Sequence, residues 1–127
     1  MIAILATVFG SLAALLHVYI FVMESVQWSQ PRIWKRFGVP DQLTADATKP
    51  MAYNQGFYNL FLAIITIVGV ALLGEQEDVG RALALAGTGS MLGAALVLVT
   101  HDRSMARAAI TQGTLPALAV LFLLLSM

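Results

Sequence analysis

The sequence has no cysteine and few charged residues. Without cysteine, the chain has no disulfide, no thiolate nucleophile and no metal or iron–sulfur site built on thiolates. Charged residues make up 11% of the chain, whereas soluble domains carry roughly 25%. The seven basic and seven acidic side chains cancel, so no net field attracts a polyanion, and we expect no nucleic-acid partner.

Apolar residues take the place of the missing charges and make up 59% of the 127 residues. So small a globule has too much surface to hide this fraction from water, which excludes an ordinary soluble protein. A membrane span needs about 20 mostly apolar residues. It must be helical, because the hydrocarbon offers the backbone no hydrogen-bond partner. The sequence therefore predicts a single all-α domain, an integral membrane four-helix bundle with spans at about 2–23, 51–73, 81–100 and 106–126.

The connections between the spans differ in charge. The second connection, 74–80, is acidic, whereas basic residues lie in the first connection, 24–50, and around the third: Arg32, Lys35, Arg36, Lys49, Arg103 and Arg107. The positive-inside rule places the first and third connections in the cytoplasm and both termini outside. We expect a multi-pass protein of the cell (cytoplasmic) membrane. The first span has no basic segment before it, so we expect it to remain as a span rather than to be a cleaved signal peptide.

The long first connection contains an amphipathic segment, residues 31–37 (PRIWKRF). Its apolar and basic residues fall on opposite sides, which predicts a short interfacial helix. Trp28 and Trp34 suit the aromatic belt of the membrane interface. The basic side has two functional interpretations, contact with anionic lipid or a lid over a site. We favour a third interpretation over both, in which the segment is a simple interfacial anchor. Residues 41–50 are expected to form a loop.

Polar residues within the spans predict where a site lies, because they are costly in a membrane. His17 and Glu24 are seven residues apart, so they share a helix face roughly 10 Å apart along the axis. Small residues near that face favour close helix contact and an inward orientation. The other helices bring polar residues to the same, cytoplasmic end, while the opposite half is nearly all apolar. The pattern predicts a polar pocket in the cytoplasmic half, lined by His17, Glu24, Trp28, Asn54, Gln55, Tyr58, Asn59 and Gln112.

Gly89 and Gly93 form a G-x-x-x-G pattern in the third span. This pattern favours a close helix–helix contact, either within the bundle or in a homodimer.

Three strings of the sequence resemble one family. They are residues 17–28 (HVYIFVMESVQW), 54–63 (NQGFYNLFLA) and 112–117 (QGTLPA). Together and in this order they resemble the DUF1304 family of small four-span bacterial membrane proteins, over nearly the whole chain. The resemblance implies a four-span fold and one signature containing the eight pocket residues, but no reaction. A looser likeness in size and helix number is to the DoxX-like membrane proteins, an architectural analogy that gives little warrant for function.

The residues suggest binding of a small lipophilic molecule, and leave open whether it is also converted. In the catalytic version His17 is an acid or base, Glu24 orients it or supplies a second acid–base group, and Tyr58 positions a ligand oxygen. Trp28, Asn54, Gln55, Asn59 and Gln112 are then ligand-binding residues.

We predict no cofactor and no metal, because His17, Glu24 and His101 match no compact metal motif. A purely structural interpretation is also open. In it His17 is a buried hydrogen-bonding residue, and the amide side chains only hold the helices together. Two alternatives remain, a small proton-coupled transporter acting as a dimer and a structural subunit of a membrane complex.

Overall fold

The computed structural model describes all 127 residues and is helical almost throughout. Four helical stretches are long and apolar enough to cross a membrane, which confirms the all-α, four-span prediction. The elements are α1 (Ile2–Phe21) with a π-helical turn (Val22–Val26), α2 (Pro31–Trp34) with a 3-10 turn (Lys35–Phe37), α3 (Gln42–Leu72), α4 (Glu77–His101), a 3-10 turn (Arg103–Met105) and α5 (Ala106–Leu125).

The four long helices form a bundle in which sequence neighbours run antiparallel. Both α1 and α4 pack against α3 and α5, so α1 and α4 lie on a diagonal. Ala3 and Ser126 line one small cavity, so the two termini lie at the same end. At the opposite end, Gly38 of the first connection approaches Met105 of the third. The basic connections therefore share one end of the bundle, called the basic end below; the side of the membrane that it faces stays a prediction.

Glycines allow the closest crossing, between α3 and α4. A Cβ on Gly80 would lie 2.6 Å from the backbone nitrogen of Leu73 and 2.7 Å from the carbonyl oxygen of Gly69, so this crossing admits no side chain. By contrast, a Cβ on Gly89 or Gly93 would meet nothing within 4 Å. The prediction that this pair could make a contact within the bundle is therefore wrong, because the inward face of α4 is the one that carries Gly80, Ala84, Gly87, Thr88, Met91 and Ala95.

Helix α3 begins at Gln42, so the prediction of a loop over 41–50 is wrong. The carboxylate of Asp41 accepts a hydrogen bond from the backbone N–H of Thr44 at 2.7 Å and caps the helix. Pro50 lies inside α3, where it removes one backbone hydrogen bond and its ring crowds the carbonyl four residues earlier, yet the helix continues through it. With 31 residues, α3 is about 46 Å long. This exceeds a hydrocarbon core of about 30 Å, so its first turns extend beyond the membrane.

Trp28 and Trp34 are buried by protein rather than placed in an aromatic belt against lipid. They belong to a cluster with Ile20, Met23, Ile33, Ala45 and Ala52. The indole N–H of Trp28 donates to the carbonyl of Ala45 at 2.9 Å. Segment 31–37 is amphipathic, as predicted. Ile33 and Trp34 on its apolar side are buried, while its basic residues Arg32, Lys35 and Arg36 are exposed. Its apolar side covers the end of α1 and the start of α3, which explains why the rings are withdrawn from lipid.

The end of the bundle that holds the termini is less apolar than predicted. Arg81 of α4 is only 14% exposed and forms an ion pair with Glu77. Its guanidinium also donates to the carbonyl of Ser126 at 3.3 Å. Arg81 thus joins the start of α4 to the end of α5, beside a cavity of about 80 Å³.

Candidate functional site

Glu24 lies in the π-helical turn that ends the first span. In such a turn the hydrogen bonds run over five residues, so the helix accommodates an extra residue. Here the N–H of Gln27 donates to the carbonyl of Val22 at 2.9 Å. Met23 and Glu24 are the buried residues of this turn, and Glu24 is only 8% exposed. A carboxyl group so well covered needs polar partners, because burying one without them is costly.

The π turn lies directly against α3 at Gly56. A Cβ on Gly56 would lie 3.0 Å from the backbone nitrogen of Ser25 and 3.1 Å from the Cβ of Glu24. The hydroxyl of Ser25 also donates to the carbonyl of Tyr53 at 2.7 Å. Any larger residue at position 56 would separate the two helices, so this glycine brings Glu24 within reach of the polar side chains of α3.

Asn59 supplies the hydrogen bond to Glu24. Its amide nitrogen donates to Oε2 of Glu24 at 2.8 Å and to the carbonyl oxygen of Gln55 at 3.2 Å. Oε1 of Glu24 has no hydrogen-bond donor from the protein, yet it is not among the fully buried unpartnered atoms, which are Trp34 Nε1 and Arg81 Nε. One carboxyl oxygen is therefore held by Asn59, and the other is free to accept a hydrogen bond.

A cavity of about 380 Å³ lies beside Glu24, between the first connection and the start of α3. Small-molecule sites commonly span about 300–1,000 Å³ and combine apolar walls with a few polar groups. This one has that composition, and Glu24 is its one titratable side chain. Its lining residues are Glu24, Trp28, Val39, Thr48, Met51, Ala52, Asn54 and Gln55.

His17 is buried like Glu24, at 2% exposure, but the structure does not join the two. Its Nδ1–H donates to the carbonyl of Ala13 at 2.9 Å. Because a carbonyl only accepts, this bond fixes the tautomer of the neutral ring and leaves Nε2 as an acceptor. His17 makes no hydrogen bond to Glu24 and does not line the cavity. The inward orientation predicted for both residues is confirmed, whereas a shared pocket wall is not what the structure shows.

Two other predicted residues also lie apart from the cavity. Tyr58 is 57% exposed on the outside of α3, one residue before Asn59 and therefore on a different face. Gln112 is half-buried on α5, which packs against α1 and α4 rather than at the cavity. Of the predicted set, the structure brings together Glu24, Trp28, Asn54, Gln55 and, behind Glu24, Asn59. His17, Glu24 and His101 do not converge, because no group of three such side chains is placed to hold a metal ion.

Four cavity residues were not predicted: Val39, Thr48, Met51 and Ala52. Three of them lie in the part of α3 that was expected to be a loop or the very start of a span. The signal that could have found them is the Asp41–Thr44 cap followed by Ala45, Thr48, Ala52, Gly56 and Asn59. These residues recur at three or four positions, which is the spacing of one helix face.

Comparison with known proteins places the chain in a family without assigning it an activity. No curated protein and no solved structure matches the chain, and the looser likeness to DoxX-like proteins gains no support. Residues 11–124 match the model of one family, described as a protein of unknown function. This match includes all the residues of the π turn, the cavity and α3, and it confirms the resemblance seen in the three strings. The chain is a member of the DUF1304 family.

Proposed function

We propose that this membrane protein binds a small lipophilic molecule that carries a hydrogen-bond donor. The observation that carries the proposal is the arrangement of Glu24. It is a buried carboxyl group with one oxygen held by Asn59 and the other free, on the wall of a cavity of about 380 Å³. A free acceptor on a cavity wall favours a ligand that supplies a donor, because a typical hydrogen bond contributes about 0.5–1.5 kcal/mol.

The remaining walls define the rest of the ligand. Trp28, Val39 and Met51 offer apolar surface to a hydrocarbon chain or ring. Asn54 and Gln55 are exposed at the rim, where their amides can bond to a second polar atom. The chemistry favours an alcohol, an amine or an amide with an apolar body.

Conversion of the ligand, if it occurs, depends on Glu24. The cavity wall has no other acid or base, and His17 and Tyr58 lie off that wall. General acid–base catalysis needs a group within about 3 Å of the transferred proton. In this proposal Glu24 therefore exchanges any proton with the ligand, and His17 acts on it only through the packing of α1.

Intrinsic fluorescence tests the proposal, since Trp28 lines the cavity. The chain has two tryptophans, so Trp34→Phe makes Trp28 the only indole. We expect 1-octanol to change the emission of this variant in detergent saturably, and methyl heptyl ether to produce at least about tenfold weaker binding, the worth of one hydrogen bond of 1.4 kcal/mol. The two probes have similar apolar bodies, but only the alcohol donates.

Two variants complete the test. Glu24→Gln should bring the affinity for 1-octanol down to that for the ether, whereas Glu75→Gln, an exposed carboxyl at the other end of the bundle, should leave both unchanged. Equal binding of alcohol and ether, or an unaltered response of Glu24→Gln, would overturn the proposal.

A further inference from the structure

The three exposed cations of segment 31–37 have no acidic partners. Arg81 and Glu77 form the one salt bridge of the structure, and it lies at the other end of the bundle. Arg32 donates to the amide oxygen of Gln30 at 2.8 Å. Lys35 lies 5.5 Å from the ring centroid of Trp34. These basic groups are therefore held in place without being neutralised.

Arg36 connects this basic surface to the lipid-facing side of α1. Its guanidinium donates to the phenol oxygen of Tyr19 at 3.4 Å, and Tyr19 is 48% exposed. Because the phenol oxygen accepts this bond, its own O–H is free to donate. The pair thus offers donors from both the guanidinium and the hydroxyl to an anionic group.

An exposed apolar stripe leads along α1 to Tyr19. It consists of Ile4, Val8, Leu12 and Leu15, all four of which are exposed. Leu15, the residue of the stripe nearest to Tyr19 along the helix, is 61% exposed. The spacing of three and four residues puts them on one helix face. From Ile4 to Tyr19 the stripe is about 22 Å long, which is more than one leaflet of a hydrocarbon core about 30 Å thick. An acyl chain can therefore lie along it while its headgroup reaches Arg36.

We propose that this surface binds an anionic phospholipid. Arg36 and Tyr19, with Lys35 and Arg32 beside them, bind its phosphate, and the stripe on α1 binds one of its acyl chains. Arginine suits this role because its planar guanidinium donates to a phosphate through two hydrogen bonds. The proposal is independent of the cavity, which has none of these residues in its wall.

Native mass spectrometry of the detergent-purified protein tests this site, with equal amounts of phosphatidylglycerol and phosphatidylcholine added. We expect one phosphatidylglycerol to be retained in preference to phosphatidylcholine. Arg36→Gln should reduce that retention about fivefold, the effect of one basic group near an anionic lipid. Tyr19→Phe, which keeps the ring at the surface, should also reduce it.

The matched control is Arg107→Gln, an exposed arginine at the same end of the bundle that lies on α5 rather than in segment 31–37. It should leave the retention unchanged. Equal retention of the two lipids, an equal effect of Arg107→Gln, or displacement of the lipid by inorganic phosphate at millimolar concentration would each overturn the proposal. The last result would mean that phosphate alone is recognised and that the stripe contributes nothing.

Discussion

Asn59 has both hydrogens of its amide committed, one to Glu24 and one to the carbonyl of Gln55. Asn59→Asp removes both donors and places a second carboxyl group against Glu24. We expect the variant to lose about 1–3 kcal/mol of unfolding free energy, the cost of an unpaired buried polar group. Titration with a denaturing detergent, followed by circular dichroism, measures this difference.

Tyr58→Phe is the matched control for Asn59→Asp, since the two positions are adjacent but Tyr58 points away from Glu24. It should unfold at the wild-type detergent concentration. If Asn59→Asp were as stable as Tyr58→Phe, the hydrogen bond to Glu24 would contribute nothing to the fold.

His17 and Glu24 should behave as separate residues, although the sequence suggested a pair. His17→Ala removes a buried side chain and its bond to Ala13, so we expect lower stability. Its affinity for 1-octanol should stay within about twofold of wild type, since effects at sites without shared partners are nearly additive. A loss of binding equal to that of Glu24→Gln would show instead that the two residues form one site.

At the scale of the element, the start of α3 should respond to acid. The backbone N–H of Thr44, the main cause, holds the pKa of Asp41 below its ordinary value of 3.8. A lowered folded-state pKa means that the cap contributes its full stability above the ordinary value and loses it as the pH falls through the lowered one. We expect the difference in unfolding temperature between wild type and Asp41→Ala to be widest at neutral pH and to narrow below about pH 4.

Thermal unfolding by circular dichroism at a series of pH values checks this prediction. Glu75→Ala serves as control, because Glu75 is an exposed carboxyl outside any helix. A difference between wild type and Asp41→Ala that stays constant with pH would mean that the charge of Asp41 does not support the cap.

The elements differ in how far the sequence predicts them. Three of the four spans follow from hydropathy, because hydrophobic length is the property that the membrane selects. The first turns of α3 do not, since charged residues and Pro50 masked a helix that Asp41 caps.

The π turn is also invisible in the sequence, because Val22–Val26 are residues that an ordinary helix accepts. Counting residues at 3.6 per turn correctly placed His17 and Glu24 on the inward side, but seven residues separate them by roughly 10 Å along the helix axis, and only Glu24 lies at the level of the cavity.

At the scale of the molecule, the absence of cysteine makes orientation directly testable. Ser29→Cys and Ser104→Cys would each place a single thiol at the basic end, and Gln76→Cys would place one at the opposite end; all three positions are exposed. The positive-inside rule predicts that a membrane-impermeant maleimide labels only Gln76→Cys in intact cells and all three after permeabilisation. Labelling of Ser29→Cys and Ser104→Cys in intact cells would show that the orientation is the reverse of the predicted one.

The outward pair Gly89 and Gly93 has no role within a single copy of the chain. Association through it remains a prediction, and Gly89→Leu tests it in the whole protein. We expect this change to leave the unfolding of the bundle unaltered, since a Cβ there would meet nothing within 4 Å. In size-exclusion chromatography with light scattering, we expect the wild-type protein to have the mass of a dimer and Gly89→Leu that of a monomer. An equal mass of the two proteins would rule the contact out.

The middle of the bundle is filled with completely covered side chains, most of them small, among them Ala13, Ala14, Ala63, Thr66 and Thr88, with Met91 as a large one. The hydroxyls of Thr66 and Thr88 donate to carbonyls of their own helices. The cavity at Glu24 shares no lining residue with the small cavity beside Arg81 at the other end of the bundle. We therefore expect a ligand of the proposed kind to enter and leave the cavity at the basic end of the bundle.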